Sequence, residues 1–366
     1  MTGHYFEGNH PELESRLESH LKRMGQSFED AGWRGALVLG GGYGRGEGGV
    51  MSGPDGEGFS NDLDYFLFED APHDARLGLW CRQIEREESE VMGLDVEIKC
   101  LRADSLGDVS RSMMFADLVA GHVVVAGDGR FLNELRAGLD FARIAPEEAT
   151  RLLWNRGTGL FFARCRIDRH DEMKFVLRNH AKVKLALGDA WLSVHGQYTS
   201  RCRDRAVRLG EMDLPEELGA LRDWHAQGVA FKFSPVSGGM TWGELDEESR
   251  RLIDVWGDLY LRVEGKRLGR RLGGFAEYVG LARLLPATSL VRNLALAARD
   301  RLMRGACIRP LGDYPRAGLM RALPCLLGLV EGGASQAGRF LPGCGGDVSL
   351  ARAWEETYTK WWAHYA

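Results

Sequence analysis

The chain lacks a basic surplus, a cysteine framework and a long apolar run. Its net charge is −5 and its pI near 6.1, and only eight of its 47 cationic residues are lysine. A dedicated polynucleotide binder carries excess positive charge, so a polynucleotide partner is not expected. The seven cysteines (Cys81, Cys100, Cys165, Cys202, Cys307, Cys325 and Cys344) form no Cys-x-x-Cys pair. An odd, scattered set argues against a disulfide scaffold and suits reduced thiols in the cytosol. Met1 to Glu14 has no basic-then-apolar leader pattern. The apolar run Leu323 to Val330 contains Pro324 and falls short of a membrane span. A cytoplasmic protein with no membrane partner is expected.

What the chain has in excess is glycine, 48 of 366 residues, against a usual share of about 7%. Much of it sits in residues 40–58 and 328–346. The first cluster is the most informative stretch. The apolar run Ala36 to Leu39 reads as a buried strand and leads into Gly40-Gly41-Gly42-Tyr43-Gly44-Arg45-Gly46-Glu47. Glycines let a backbone approach a ligand closely, and N–H groups at a helix start can point at phosphate oxygens. A short way on comes Ser60-Asn61-Asp62-Leu63-Asp64-Tyr65-Phe66-Leu67-Phe68. On a strand, Asp62 and Asp64 would project to one face and Leu63 to the core. Two carboxylates so placed suit Mg²⁺, a hard cation held by carboxylates and substrate phosphates. Carboxylates in an otherwise apolar strand are costly unless paired or metal-bound.

Phosphoryl transfer with two metal ions needs a further carboxylate. Residues 93–100 alternate polar and apolar like a half-buried strand, with Asp95 and Glu97 on one face. Helical character from about His73 to Met92 makes strand, helix, strand a compact way to bring Asp95 beside Asp62 and Asp64. Asp95 is the expected third ligand, with Glu97 as the substitute.

These residues resemble the nucleotidyltransferase superfamily of the DNA polymerase β type. The matches are Gly41-Gly42, Arg45-Gly46-Glu47, Asn61-Asp62-Leu63-Asp64 and Asp95. The Gly-Gly-Tyr-Gly-Arg-Gly-Glu wording is most similar to the catalytic domains of PII uridylyltransferases, and the likeness covers roughly residues 30 to 130. Gly42 replaces a common serine and Asn61 replaces another, and neither change removes a metal ligand. The resemblance implies transfer of a nucleoside monophosphate from an NTP to an acceptor hydroxyl, with release of pyrophosphate. It implies two Mg²⁺ ions, with Mn²⁺ as a substitute, held by Asp62, Asp64 and Asp95. Gly41, Gly42, Tyr43 and Arg45 would bind the nucleotide, and Arg45 either meets phosphate or braces the loop through Glu47. The acceptor is a hydroxyl-bearing small molecule or a protein side chain. The alternative is a non-catalytic NTP sensor, or a complex-forming partner, with the same fold.

The expected architecture is α+β. A lead-in helix over residues 11–31 precedes a small mixed sheet with flanking helices, together residues 1–145, and an all-α domain covers residues 146–366. The last strand of the first domain is read at His122 to Ala126, and Gly53 to Gly58 as a mobile flap. In the second domain, Lys174 to Arg201 reads as one amphipathic helix with His180 on its buried face. Lys182 and Lys184 are candidates to lend a cation to the triphosphate, because no lysine is evident near the glycine turn. The clusters Arg201 to Arg205 and Lys266 to Arg271 read as solvated helix faces. His170-Asp171 reads as a solvated pair rather than a second metal site. Trp354, Tyr358, Trp361 and Tyr365 form a core stripe on a terminal helix over Leu350 to Ala366.

Overall fold

Strand β1 (Gly35–Leu39) is apolar on both faces because it lies inside a sheet covered on both sides. A computed structural model describes residues 5–53, 56–69, 75–235, 238–342 and 351–365. After β1 come the hairpin strands β2 (Val50–Gly53) and β3 (Gly56–Phe59), then β4 (Leu63–Glu69), β5 (Val96–Arg102) and β6 (Val123–Gly127). The main sheet has the order β5-β4-β1-β6. β1 runs antiparallel to both neighbours, whereas β4 and β5 are parallel. A parallel pair needs a crossover. Helix α3 (Ala75–Met92) supplies it, after α1 (Pro11–Asp30) and the single turn α2 (Gly41–Gly44). The expected residue His73 lies outside the described residues.

Alternation decides the two faces. Leu37, Leu63, Tyr65, Val96 and Ile98 pack with Leu13, Leu17 and Met24 of α1 and with Leu77, Cys81 and Ile84 of α3. Ala36, Val38, Phe66 and Phe68 pack on the other side with Leu118 of α4 (Met113–Ala120) and Leu132 of α5 (Arg130–Ala137). Strand β5 is an edge, and α3 covers it. Val96 N–H donates to Ser89 Oγ at 2.9 Å and Ile98 N–H to Glu85 Oε1 at 2.7 Å. Exposed edge amides invite pairing with other chains, and these two are taken.

The expected flap is a hairpin in part. Met51 pairs with Gly58 and Gly53 with Gly56, so β2 and β3 form their own two-stranded sheet. Glycines resemble a loop in sequence, yet Gly53 and Gly58 sit in paired strands, and Gly56 takes φ 104°, which favours glycine.

The chain divides into two units. The first holds residues 1–148, 195–212 and 226–236, and the second residues 149–194, 213–225 and 237–366. A single cut at 145 therefore misses two returns of the chain. The helices of the second region are α6 (Pro146–Arg169), α7 (Met173–Val194), α8 (Cys202–Glu211), α9 (Leu221–Phe233), α10 (Trp242–Leu268), α11 (Phe275–Gly280), α12 (Leu290–Arg304), α13 (Arg316–Leu326), α14 (Gly333–Ala337) and α15 (Ala351–Tyr365). Helix α8 and the last part of α9 belong to the first unit. Their anchor is buried Glu47, which accepts from Cys202 N–H at 2.7 Å and Lys232 Nζ at 3.0 Å.

Within the second unit, α7 stops at Val194 rather than running to Arg201. The turn that follows has Gly196 at φ 68°, a left-handed conformation that favours glycine. The aromatic stripe of α15 is buried core, as its spacing predicts. The Tyr358 hydroxyl accepts from Trp154 Nε1 at 3.1 Å and also bonds the Thr158 hydroxyl. Leu350 and Ala366 lie outside the described residues. His170 is exposed and stacks on Trp242. Among the described residues, no helix is long and apolar enough to cross a membrane.

Candidate metal and phosphate site

The turn after β1 is tied to β4 by one backbone bond, Gly40 N–H to the Asp64 carbonyl at 2.8 Å. Gly41 then takes φ 62°, and a Cβ built on it would lie 2.6 Å from Asp64 Oδ2. The backbone of the turn thus sits directly against a carboxylate. Gly44 N–H makes the first helical bond, to the Gly40 carbonyl. The N–H groups of Gly41, Gly42 and Tyr43 precede it, as at any helix start, and make no backbone bond outside the helix among the described residues.

Tyr43 is not open to a ligand. It is 1% exposed, and its ring packs edge-on against Phe6 and Phe59. Its hydroxyl donates to the Gly49 carbonyl at 3.3 Å and accepts from Asn61 N–H at 3.4 Å. Burial pushes that hydroxyl up to about 12, so it stays protonated. Asn61 Oδ1 accepts from Gly49 N–H at 2.8 Å. Asn61 and Tyr43 together fix the entry to Asp62.

Asp62 is exposed and lies one residue before β4, and Asp64 is the second residue of the strand. The parallel register sets Asp64 opposite Glu97. Asp95 is exposed and lies just before β5, level with Asp62 by the same register, and its carbonyl accepts from Leu63 N–H at 2.9 Å. Glu97, the substitute in the sequence reading, is thus the carboxylate beside Asp64. Between them stands Lys99, with Nζ 3.1 Å from Asp64 Oδ1 and 3.4 Å from Glu97 Oε2. Burial opposes its charge, but the two carboxylates outweigh burial and hold the ammonium above its ordinary range. The expectation that no lysine lies near the glycine turn is corrected here. The alternation of residues 95–100 already set Lys99 on the face of Glu97, but only the strand register set it against Asp64.

Among the described residues, no three His, Cys, Asp or Glu side chains are gathered closely enough to form a ready metal cage. The donors still fit a hard cation. They are carboxylate oxygens, and Asp64 and Glu97 already converge on a positive charge, the Lys99 ammonium. An open groove of about 550 Å³ lies beside Asp95 and Glu97, and Arg82 and Arg86 of α3 also line it.

Arg45 braces the turn. Its side chain is 13% exposed, with Nε 3.6 Å from Glu47 Oε2 and Nη1 3.7 Å from Asp117 Oδ2. Glu47 is 2% exposed. Burial works against its charge, and Lys232, Arg45 and the Cys202 N–H reverse this and hold its carboxyl below the usual range. Lys232 and Cys202 were not singled out from the sequence as site residues, since they lie far along the chain from Glu47. The cluster Arg201 to Arg205 is not simply a solvated face. Arg203 is exposed, but Cys202 and Arg205 are buried. The Arg267 side chain is 5% exposed and pairs with Glu264 at 2.6 Å.

Lys184 is buried in the second unit, where its Nζ pairs with Glu248 of α10. His180 Nδ1 meets the same carboxylate at 2.8 Å. Burial disfavours the Glu248 charge, but His180 and Lys184 overcome it and bring the carboxyl to about 2. Lys184 Nζ thus meets a carboxylate within its own unit. Lys182 is half-buried on the same helix.

No protein-family model and no curated protein matches the chain.

Proposed function

We propose that the first unit is a polymerase β-like nucleotidyltransferase domain that moves an NMP from an NTP to an acceptor hydroxyl and releases pyrophosphate. One observation carries the reading. The glycine turn lies in contact with Asp64, which stands in register with Glu97 on the neighbouring strand. Helix-start amides and carboxylates of the kind that suit a hard cation thus lie around Asp64, which supports the reading.

In this reading Asp62, Asp64 and Glu97 or Asp95 hold the metal. Mg²⁺, when bound, neutralises phosphate charge and favours the ionised acceptor hydroxyl. The amides of Gly41 and Gly42 face the β- and γ-phosphate oxygens. A carboxylate oxygen of Asp95 or Glu97 takes the acceptor proton. Arg45, Glu47 and Tyr43 keep the turn rigid, so that little reorganisation remains at the moment of transfer. The acceptor is a hydroxylated small molecule or a protein side chain.

The test is incubation with each α-labelled NTP and Mg²⁺, against a metabolite pool and against whole lysate. Label moving to an acceptor, and failing to do so with Asp64→Asn, supports the reading. An NTP that neither binds nor reacts overturns it.

A second reading has its own support. Lys99 supplies a fixed positive charge between Asp64 and Glu97, where a metal would act. With a permanent ammonium there, the domain would be an NTP sensor or a partner protein without catalysis. NTP affinity that is indifferent to Mg²⁺ would favour it.

A further inference from the structure

Cys202 is the first residue of α8 and is 1% exposed. Two cationic nitrogens meet its sulfur, Arg205 Nη2 at 2.8 Å and Lys232 Nζ at 2.9 Å. A guanidinium and an ammonium only donate hydrogen bonds, so the sulfur accepts both. A neutral thiol is a poor acceptor of two charged bonds, whereas a thiolate is a good one. The first turn of a helix adds partial positive charge at the same place.

The charges around Cys202 point the same way. Arg45 and Glu47 come from the glycine segment, Asp117 from α4, Arg205 from α8 and Lys232 from α9. The Tyr198 hydroxyl donates to Asp117 Oδ2 at 3.1 Å and accepts from Arg205 at 3.2 Å, so it is neutral. Arg201, Arg203 and Asp204 of the same stretch are exposed. The two cations that donate to the sulfur, Arg205 and Lys232, favour its anionic form. Cys165 and Cys325 are equally buried, and burial pushes their thiols up to about 11 and about 12.

We propose that Cys202 is held as a thiolate at neutral pH and is a modification site for small oxidants of the peroxide class. The sulfur attacks one peroxide oxygen, the S–O bond forms and the O–O bond breaks. The departing hydroxide takes a proton from solvent and leaves as water. Sulfur is oxidised by two electrons to the sulfenic state, and the peroxide is reduced. Arg45 Nε, buried in the same cluster, makes no hydrogen bond and only a 3.6 Å ion pair with Glu47. With Cys202 1% exposed, bulky alkylating reagents are shut out, and the oxidant proposed is one of the smallest. Because Lys232 serves both Cys202 and Glu47, oxidation alters the brace of the glycine turn. The thiolate itself does not rest on the proposed nucleotide chemistry.

Two measurements test this. The first is ultraviolet thiolate absorbance against pH for the intact protein and for Cys202→Ser. One thiolate's absorbance at about pH 6 to 7, missing from the variant, is expected, because cations lower a thiol's pKa well below about 8.5. A difference between the two proteins that develops only near about pH 8.5, the ordinary thiol value, overturns the thiolate. Wild-type protein carrying ¹³Cβ-labelled cysteine gives the same test without any substitution. One of the seven cysteine signals keeps its thiolate shift below neutrality if the proposal holds, and all seven titrate as ordinary or raised thiols if it fails. The second is peroxide treatment with peptide mass spectrometry. Oxygen added at Cys202 ahead of Cys165 and Cys325 is expected, and the reverse order overturns the modification site.

Discussion

Gly41→Ala is the sharpest perturbation of the site. The native φ of 62° lies where only glycine is comfortable, and an alanine there costs roughly 1–2 kcal/mol. The new Cβ would also stand 2.6 Å from Asp64 Oδ2. Asp64 is a partly exposed side chain, 34% by side-chain area, so it can swing away rather than unfold the sheet. Swinging away breaks its 3.1 Å contact with Lys99 and removes it from the turn. The expected stability loss is therefore modest, about 1–3 kcal/mol by thermal or urea unfolding. The expected loss in NTP affinity by calorimetry is at least about tenfold, or 1.4 kcal/mol. Gly42→Ala is the control. Its φ is not in the left-handed region, and the nearest atom to its Cβ would be the Glu47 carbonyl oxygen at 3.1 Å. A cycle with Asp64→Ala isolates the contact. Removing the carboxylate should relieve part of the Gly41→Ala penalty, giving a coupling of about 0.5–3 kcal/mol. Strict additivity, or normal NTP binding by Gly41→Ala, would refute the claim that the turn and Asp64 form one site.

Other outcomes follow from the same geometry. Glu47→Gln leaves Arg45 and Lys232 without their shared anion and should cost about 3–5 kcal/mol in urea unfolding; a loss under about 1 kcal/mol would mean that the brace is dispensable. Because the folded state holds the Glu47 carboxyl below its usual value of 4.5, the unfolded chain takes up this proton first as pH falls. That part of the stability is present above about pH 4.5 and fades as pH drops through the folded value, a loss that Glu47→Gln should not show in acid unfolding curves. Lys184→Ala should lower stability by about 1–3 kcal/mol, because Glu248 loses a partner, with little change in NTP KM; a raised KM at unchanged stability would return Lys184 to the nucleotide. Lys99→Met separates the two functional readings. It strengthens Mg²⁺-dependent NTP binding if the ammonium only holds the metal's place, and abolishes NTP binding if the ammonium is the permanent counter-charge.

What could be read from the sequence was local. The strand before Gly40, the crossover α3 and the pair Asp62 and Asp64 follow from periodicity and spacing over a few tens of residues. The third carboxylate was harder, because Asp95 and Glu97 share a face and only the pairing of Asp64 with Glu97 separates their places. Lys99 went unnoticed for the same reason. Glycine misled twice. Gly53 to Gly58 read as a loop although Gly53, Gly56 and Gly58 belong to a hairpin, and the left-handed position fell on Gly41 with nothing in the sequence to distinguish it from Gly42. Nothing local links Glu47 to Cys202 and Lys232, which the fold brings together from separate helices. The end of α7 at Val194 was masked by continuing helical periodicity, which a turn through Gly196 interrupts.

The central claim is that Asp64 joins a cation site to a phosphate site. Calorimetric titration of NTP into wild-type protein and Asp64→Asn, each with and without Mg²⁺, tests it most directly. The account predicts NTP binding that Mg²⁺ strengthens in the wild type, and loss of that Mg²⁺ effect in a variant that unfolds at nearly the same temperature. Equal, Mg²⁺-responsive binding by both proteins would contradict it.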